Sequence, residues 1–212
     1  MDEEKIQHVS RREVRRQSRR DTILAVATTS FLEQGYAGTT MSGIAAALGG
    51  SKGTLWSYFS SKEDLFAAVI DHVTTAYRLK LTQILEAPCD DVRLTLHRIC
   101  ISLLERVVQP ETMAVQRLVV AEAGRFPEMG TIYYDSGPRH IHKLVADFLI
   151  GAMQSGVLRS APPLETARLL MGLCMSGCHQ KLLWGVMTVA TREQLEADVD
   201  RATDIFMRAY AA

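Results

Sequence analysis

The sequence of 212 residues predicts an all-α fold in two domains. Three observations carry that expectation. Apolar residues recur three and four positions apart through nearly the whole chain. No run alternates apolar and polar residues over the length of a strand. Prolines, glycines and capping residues interrupt the pattern at intervals that suit helices. No internal repeat is present. The expected arrangement is about nine helices: a three-helix N-terminal domain, a long connecting helix and a C-terminal helical bundle. Its segments are a basic arm over 1–17, the first domain with its connecting helix over 18–86, and the second domain over 87–212.

Taken in order, the arm comes first. From Lys5 to Arg20 seven cationic side chains face one anionic one, Glu13. A polar stretch of this kind has too little apolar surface to fold alone, so disorder or partial helix is expected. Its arginines, Arg15, Arg16 and Arg19 among them, suit phosphates or a minor groove. A first helix runs to about Gln34, with Ile23, Leu24, Ala27 and Phe31 on one face and Gly35 ending it. Thr40 caps a second, short helix that turns Ile44, Ala45 and Leu48 to one side, and Gly49-Gly50 supplies the left-handed exit. Ser51 caps a third helix whose Leu55 and Phe59 point inward, leaving Lys52, Thr54, Trp56, Ser57 and Tyr58 outward. Ser60 to Glu63 forms a capping box for a helix over about 61–86, roughly 35–40 Å long at 1.5 Å per residue. Leu65, Phe66, Val69, Ile70, Val73, Tyr77 and Ile84 make its apolar stripe.

Ala87-Pro88 breaks the helical pattern and marks the domain boundary. Beyond it helices are expected over about 91–108, 111–124, 128–155 with an interruption at Gly137-Pro138, 163–185, and 192–210 capped by Thr191. The 163–185 segment carries two apolar stripes, Ala167, Met171, Cys174, Cys178 and Leu182 on one side, and Leu169, Leu173, Gly177, Gln180 and Trp184 on the other. The last helix offers Leu195, Val199, Ala202, Phe206 and Ala209. One core cannot take all of these, so an isologous interface between two subunits is expected, formed by Leu173, Gly177, Trp184, Leu195, Val199, Ala202 and Phe206.

Residues 39–64, TTMSGIAAALGGSKGTLWSYFSSKED, form a helix-turn-helix, in which the second helix lies in a DNA major groove. With ILAVATTSFLEQGYAGTT before it and LFAAVIDHV after it, this stretch resembles the DNA-binding domain of the TetR/AcrR family, over about residues 20–72. Gly50 stands where that family usually has a small aliphatic residue, and Trp56 where it usually has Tyr. QRLVVAEAGRFPE, Gln116 to Glu128, resembles a stretch of one AcrR-like subgroup. The resemblance implies a double-stranded, pseudo-palindromic DNA operator, a homodimer joined through its last two helices, and a C-terminal domain that takes a small-molecule effector. By place in the motif, Lys52, Gly53, Thr54, Trp56 and Ser57 face bases, Thr40, Tyr58 and Lys62 hold phosphates, and Ser42 suits either role.

Composition fits this reading and excludes others. Net charge is zero, 47% of residues are hydrophobic and 23% charged, ordinary values for a globular chain. No apolar run reaches the roughly 18–20 residues of a membrane span, and the N-terminus lacks a signal peptide's apolar core, so a cytoplasmic protein with no membrane partner is expected. Cys89, Cys100, Cys174 and Cys178 are expected as reduced thiols. No nucleophile elbow, phosphate loop, zinc-protease motif or dinucleotide fingerprint occurs, and Glu122, Asp135, His140 and His142 suit solvated helix faces, so no enzyme and no cofactor is expected. Cys174, Cys178 and His179 cannot converge on one metal from a single helix, since His179 lies about 100° round from Cys178. Polar-tipped or adaptable residues that could face an effector cavity are His97, Met113, Gln116, Arg117, Tyr133, Met171, Cys174 and Met175, a mixture that suits an apolar or aromatic molecule. Two rivals stand beside this ligand-released repressor. A DNA-binding protein without an effector would lack a cavity, and a helical enzyme would turn over a metabolite and bind no operator.

Overall fold

The structure is a computed structural model that describes residues 11–49, 52–87 and 91–212. Residues 1–10 of the arm, Gly50, the Ser51 cap, the break at Pro88, Cys89, Asp90 and the side chain of Lys52 lie outside the described set. The described residues form eleven helices: α1 (Arg11–Gly38), α2 (Met41–Ala47), α3 (Lys52–Trp56), α4 (Lys62–Glu86), α5 (Val92–Val107), α6 (Pro110–Glu122), α7 (Pro127–Ser136), α8 (Pro138–Gln154), α9 (Pro163–Met175), α10 (Cys178–Leu183) and α11 (Arg192–Tyr210). Among them an isolated antiparallel bridge joins Leu158 to Ala211. The fold is all-α, as the periodicity requires.

The chain packs as two compact units, residues 1–69 and 70–212. The expected boundary after Glu86 therefore differs from the packing boundary, which falls inside α4. Tyr77 and Leu81 of α4 are buried in the same cluster as Leu96, Ile99 and Cys100 of α5, so the second half of this helix belongs to the C-terminal core.

In the N-terminal unit, Ile23, Leu24, Ala27 and Phe31 of α1 are buried, and so are Ile44, Ala45, Leu55, Phe59, Leu65 and Phe66. Phe31, Tyr36 and Phe66 form an aromatic trio with ring centroids 5.2–5.8 Å apart. Truncating one such ring to alanine costs about 3–5 kcal/mol. Gly35, at φ 73°, breaks the helical path near the end of α1 and brings Tyr36 into that trio. Thr40 caps α2 by accepting a hydrogen bond from Gly43 N–H at 3.0 Å, and Gly49, at φ 62°, makes the left-handed exit. At α4 the cap sits one residue later than expected: the Ser61 hydroxyl accepts from Asp64 N–H at 3.0 Å, and Ser60 donates to the Asp64 carboxylate. The described part of the arm, from Arg11 on, is helical and continuous with the first expected helix, so Arg15, Arg16 and Arg19 stand on α1, with a fixed spacing.

In the C-terminal unit the expected helix over 163–185 is two helices, α9 and α10, separated at Ser176-Gly177. Asp198 of α11 causes the separation. Its carboxylate accepts from Cys178 N–H at 2.6 Å, which caps the new helix start. The close approach requires glycine at 177, because a Cβ there would overlap both carboxylate oxygens. Thr191 caps α11 through a complete capping box with Gln194. The stripe assigned to a subunit interface is corrected here: Leu195, Val199, Ala202 and Phe206 are at most 5% exposed, packed in this chain's own core. Gly177 likewise serves a contact within the chain.

Candidate nucleic-acid interface and ligand cavity

Two features of the N-terminal unit set out the candidate interface, a short outward-facing helix and a basic helical face beside it. Helix α3 is only five residues long, held by Leu55 and Phe59 below it, both buried. Its outward residues are Gly53, Trp56 and Ser57, exposed, with Thr54 half-buried. Trp56 is 41% exposed, so its indole does not close the small core. The Ser57 hydroxyl donates to Thr54 O at 2.7 Å. Tyr58 is half-buried, and the Arg16 guanidinium lies 6.0 Å from its ring centroid, while Arg20 lies 5.5 Å from that of Phe59. The basic face of α1 and the end of α3 are thus neighbours. Arg20 extends the cationic row beyond the three arginines expected to bind, and its signal in the sequence is its place one turn after Arg16.

The supporting residues are also placed. Ser42 is exposed on the first turn of α2, and the Thr40 oxygen is engaged in capping the same helix. Lys62 turns inward, donating to Tyr36 O at 2.8 Å with its ammonium 4.1 Å from the Tyr36 ring centroid. One of its three N–H donors is committed to holding the start of α4 against the end of α1.

The C-terminal unit contains a cavity of about 280 Å³. Four of the residues expected there line it: Gln116, Tyr133, Met171 and Met175. The other four do not. Met113 and Cys174 are buried in the core, His97 pairs with Asp200 at 3.0 Å, and Arg117 donates to the carbonyls of Leu182 and Leu183, where it caps the C-terminal end of α10. Gln116 and Arg117 could not both face inward, because adjacent helical residues diverge by about 100°.

Further lining residues carry the polarity of the site. His142, expected on a solvated helix face, and His179, weighed only as a metal ligand and set aside, both reach the cavity wall. Burial lowers the affinity of both rings for a proton, and the neighbouring Arg168 charge adds to the effect at His142. Gln116 donates to Val107 O at 3.2 Å, so its side-chain oxygen accepts at 2.7 Å from His179 Nε2, which therefore bears the proton. Burial pushes the Tyr133 phenol up to about 12, and the Tyr77 phenol is raised further by burial and by Cys100 and Cys174 beside it. Both phenols keep their protons. Tyr77, Arg106 and Thr112 line the wall as well, and neither motif nor composition singles them out. Among the described residues no group of three or more His, Cys, Asp or Glu is placed to hold a metal. No described helix is long and apolar enough to cross a membrane.

A short, capped helix-turn-helix beside a basic helical face, followed by a helical unit with an internal cavity, defines a helix-turn-helix regulator of transcription. Residues 23–69 match the family described as bacterial regulatory proteins, tetR family, and residues 94–212 match the AefR-like transcriptional repressor C-terminal domain. The chain belongs to the TetR family of bacterial transcriptional regulators. Among curated proteins it is 28% identical over 113 residues to the HTH-type transcriptional regulator YhgD of Bacillus subtilis (strain 168), covering 48% of this chain and 59% of that protein. It is 40% identical over 78 residues to the HTH-type transcriptional repressor Rv3405c of Mycobacterium tuberculosis (strain ATCC 25618 / H37Rv), covering 36% of this chain and 39% of the relative. The chain thus matches less than two thirds of the length of either relative. Among solved structures, the flavonoid-responsive regulator FrrA superposes with a TM-score of 0.76 at 30% identity, covering 92% of this chain and 98% of that one. A crystal structure from Mesorhizobium loti MAFF303099, described as TetR-family, gives 0.77 at 25% identity, covering 93% and 99%.

Proposed function

We propose that this protein represses transcription from a pseudo-palindromic operator as a homodimer, and that an apolar or aromatic small molecule entering the C-terminal unit releases it. The cavity of about 280 Å³ carries the effector half of this reading. It approaches the roughly 300–1,000 Å³ typical of small-molecule sites, and apolar side chains dominate its wall. The similarity to FrrA, a flavonoid-responsive regulator, supports an aromatic effector here. Release is a population shift, in which the ligand binds better to a conformation whose two α3 helices no longer fit successive major grooves about 34–36 Å apart. Bases are read by Lys52, Gly53, Thr54, Trp56 and Ser57. Phosphates are held by Thr40, Tyr58, the ammonium of Lys62, and Arg15, Arg16 and Arg19, with Ser42 in either role.

The dimer reading rests on what α9 and α10 leave outside. Leu169 is 53% and Trp184 66% exposed, and Leu173 is half-buried between them in sequence, while Ile205 of α11 is also exposed. These side chains, rather than the inward stripe of α11, form the subunit contact, since burying exposed apolar surface drives association.

The test is selection of genomic fragments with purified protein, followed by fluorescence anisotropy on the selected operator with and without aromatic compounds. Sequence-specific binding that one of them reverses is expected. Operator binding that no compound disturbs would favour a regulator without an effector, and turnover of a compound without operator binding would favour an enzyme.

A further inference from the structure

The polar atoms of the cavity wall are unevenly served. Among the described residues, four buried side-chain atoms without a hydrogen-bond partner belong to lining residues: Tyr77 Oη, Arg106 Nε, Thr112 Oγ1 and His142 Nδ1. A buried polar group without a partner has lost its hydration and gained nothing in return, so each of these calls for a partner from whatever occupies the site. Three are donors by chemistry. The Arg106 N–H can only donate, and the Tyr77 and Thr112 hydroxyls donate whenever an oxygen is offered. The wall therefore asks for oxygen acceptors at several points.

Its charge points the same way. Among the described residues no Asp or Glu lines the cavity, and Arg106 is the permanent charge on its wall. Arg106 has no carboxylate partner among the described ion pairs, and its guanidinium donates to Val73 O. The guanidinium also borders an open groove beside Lys80 and Glu105, and there Glu105 is engaged by Lys80 at 3.3 Å and Arg192 at 2.7 Å. A half-buried arginine whose Nε is shielded from water and which borders an apolar chamber attracts an anion and repels a cation, more strongly than the same charge in water would.

We infer that the cavity takes an aromatic oxyanion, a flat apolar body bearing a carboxylate or phenolate that Arg106 receives, with Tyr77 and Thr112 donating to oxygens on the same molecule. The inference rests on the reading of this cavity as the effector site and narrows it from apolar or aromatic compounds to acids and acidic phenols, with amines excluded. The methionines and aliphatic side chains around the chamber hold the ring system.

Four compounds on one scaffold test it by calorimetric titration of the full chain: naphthalene, 2-naphthol, 2-naphthoate and 2-naphthylmethylammonium. On the unmodified protein 2-naphthoate should bind at least about tenfold more tightly than the ammonium compound, a difference of about 1.4 kcal/mol. Arg106→Met, checked by circular dichroism, should narrow the difference between naphthoate and naphthalene, and Thr112→Val should weaken 2-naphthol. Naphthalene binding with no preference for naphthoate over the ammonium compound would overturn the oxyanion assignment while leaving the effector site intact. Binding of none of the four would overturn both. The comparison on the unmodified protein decides the matter even where a variant fails to fold.

Discussion

Replacing Gly177 by alanine would place a methyl group where both carboxylate oxygens of Asp198 now lie. The clash cannot be relieved at little cost, because Asp198 is buried and accepts from Cys178 N–H at 2.6 Å. Displacing the carboxylate loses a hydrogen bond to a charged group, worth about 1.5–3 kcal/mol, and overpacking adds about 1–3 kcal/mol. The lower entropy of the unfolded alanine chain offsets about 0.4–1 kcal/mol. A net destabilisation of about 2–5 kcal/mol results, or roughly 4–20 °C in melting temperature for a unit of this size. Thermal unfolding followed by circular dichroism measures it, within a double-mutant cycle using Asp198→Ala. Asp198→Ala alone should cost about 1.5–3 kcal/mol, and adding Gly177→Ala to it should cost little more, since the atoms it meets are gone. Costs that add to within about 0.5 kcal/mol, or a Gly177→Ala effect below about 1 kcal/mol, would refute the account of the α9–α10 break.

Four further outcomes are expected. Trp56→Ala should weaken the cognate operator by about 1–3 kcal/mol and relax preference at particular base pairs, with stability changed by no more than about 0.5 kcal/mol because the indole is exposed; paired affinity and melting measurements check both. Alanine at Arg15, Arg16 and Arg19 should flatten the slope of log K against log salt by about 0.9 for each phosphate that is no longer neutralised. Analytical ultracentrifugation should find about twice 23.5 kDa for the unmodified chain and a shift toward monomer for Trp184→Glu, whereas Phe206→Glu, buried in the core, should unfold the C-terminal unit instead. His142 and His179 bind protons more weakly folded than unfolded, so the unfolded chain takes up more protons as pH falls below the ordinary histidine value of about 6.5. Melting temperature should therefore fall from neutral pH downward through that value, and His142→Gln should flatten the fall.

Local signals are legible wherever the residues act on their own neighbourhood. Thr40, Gly49 and Thr191 cap or end helices through interactions a few residues away, and each can be placed from sequence. Signals that depend on a distant partner cannot. The apolar period runs unbroken through Ser176-Gly177, and the residue that breaks the helix, Asp198, lies twenty positions beyond Cys178. The stripe on α11 is a true stripe, but periodicity says only that it needs a partner surface, and that surface is α5 and α9 of the same chain. Pocket residues are recognisable by type and not by phase. Gln116 and Arg117 are adjacent, and the choice of the one that faces the cavity is set by the helices around α6. Tyr77 and Arg106 give no advance sign, because a tyrosine on an apolar stripe and an arginine near a helix end ordinarily mean core edge and solvent.

The packing boundary at Val69/Ile70 lies within an unbroken helix. Within the C-terminal unit the rest of this helix lines the cavity with Ile70 and Val73 and fills the core with Tyr77 and Leu81. Each residue inserted between Val73 and Tyr77 would turn Tyr77 and Leu81 by about 100° and shift them by about 1.5 Å relative to Ile70 and Val73. This part of α4 is in that sense a phase, and its tolerance to insertion should follow the helical repeat instead of declining steadily with the number of residues added.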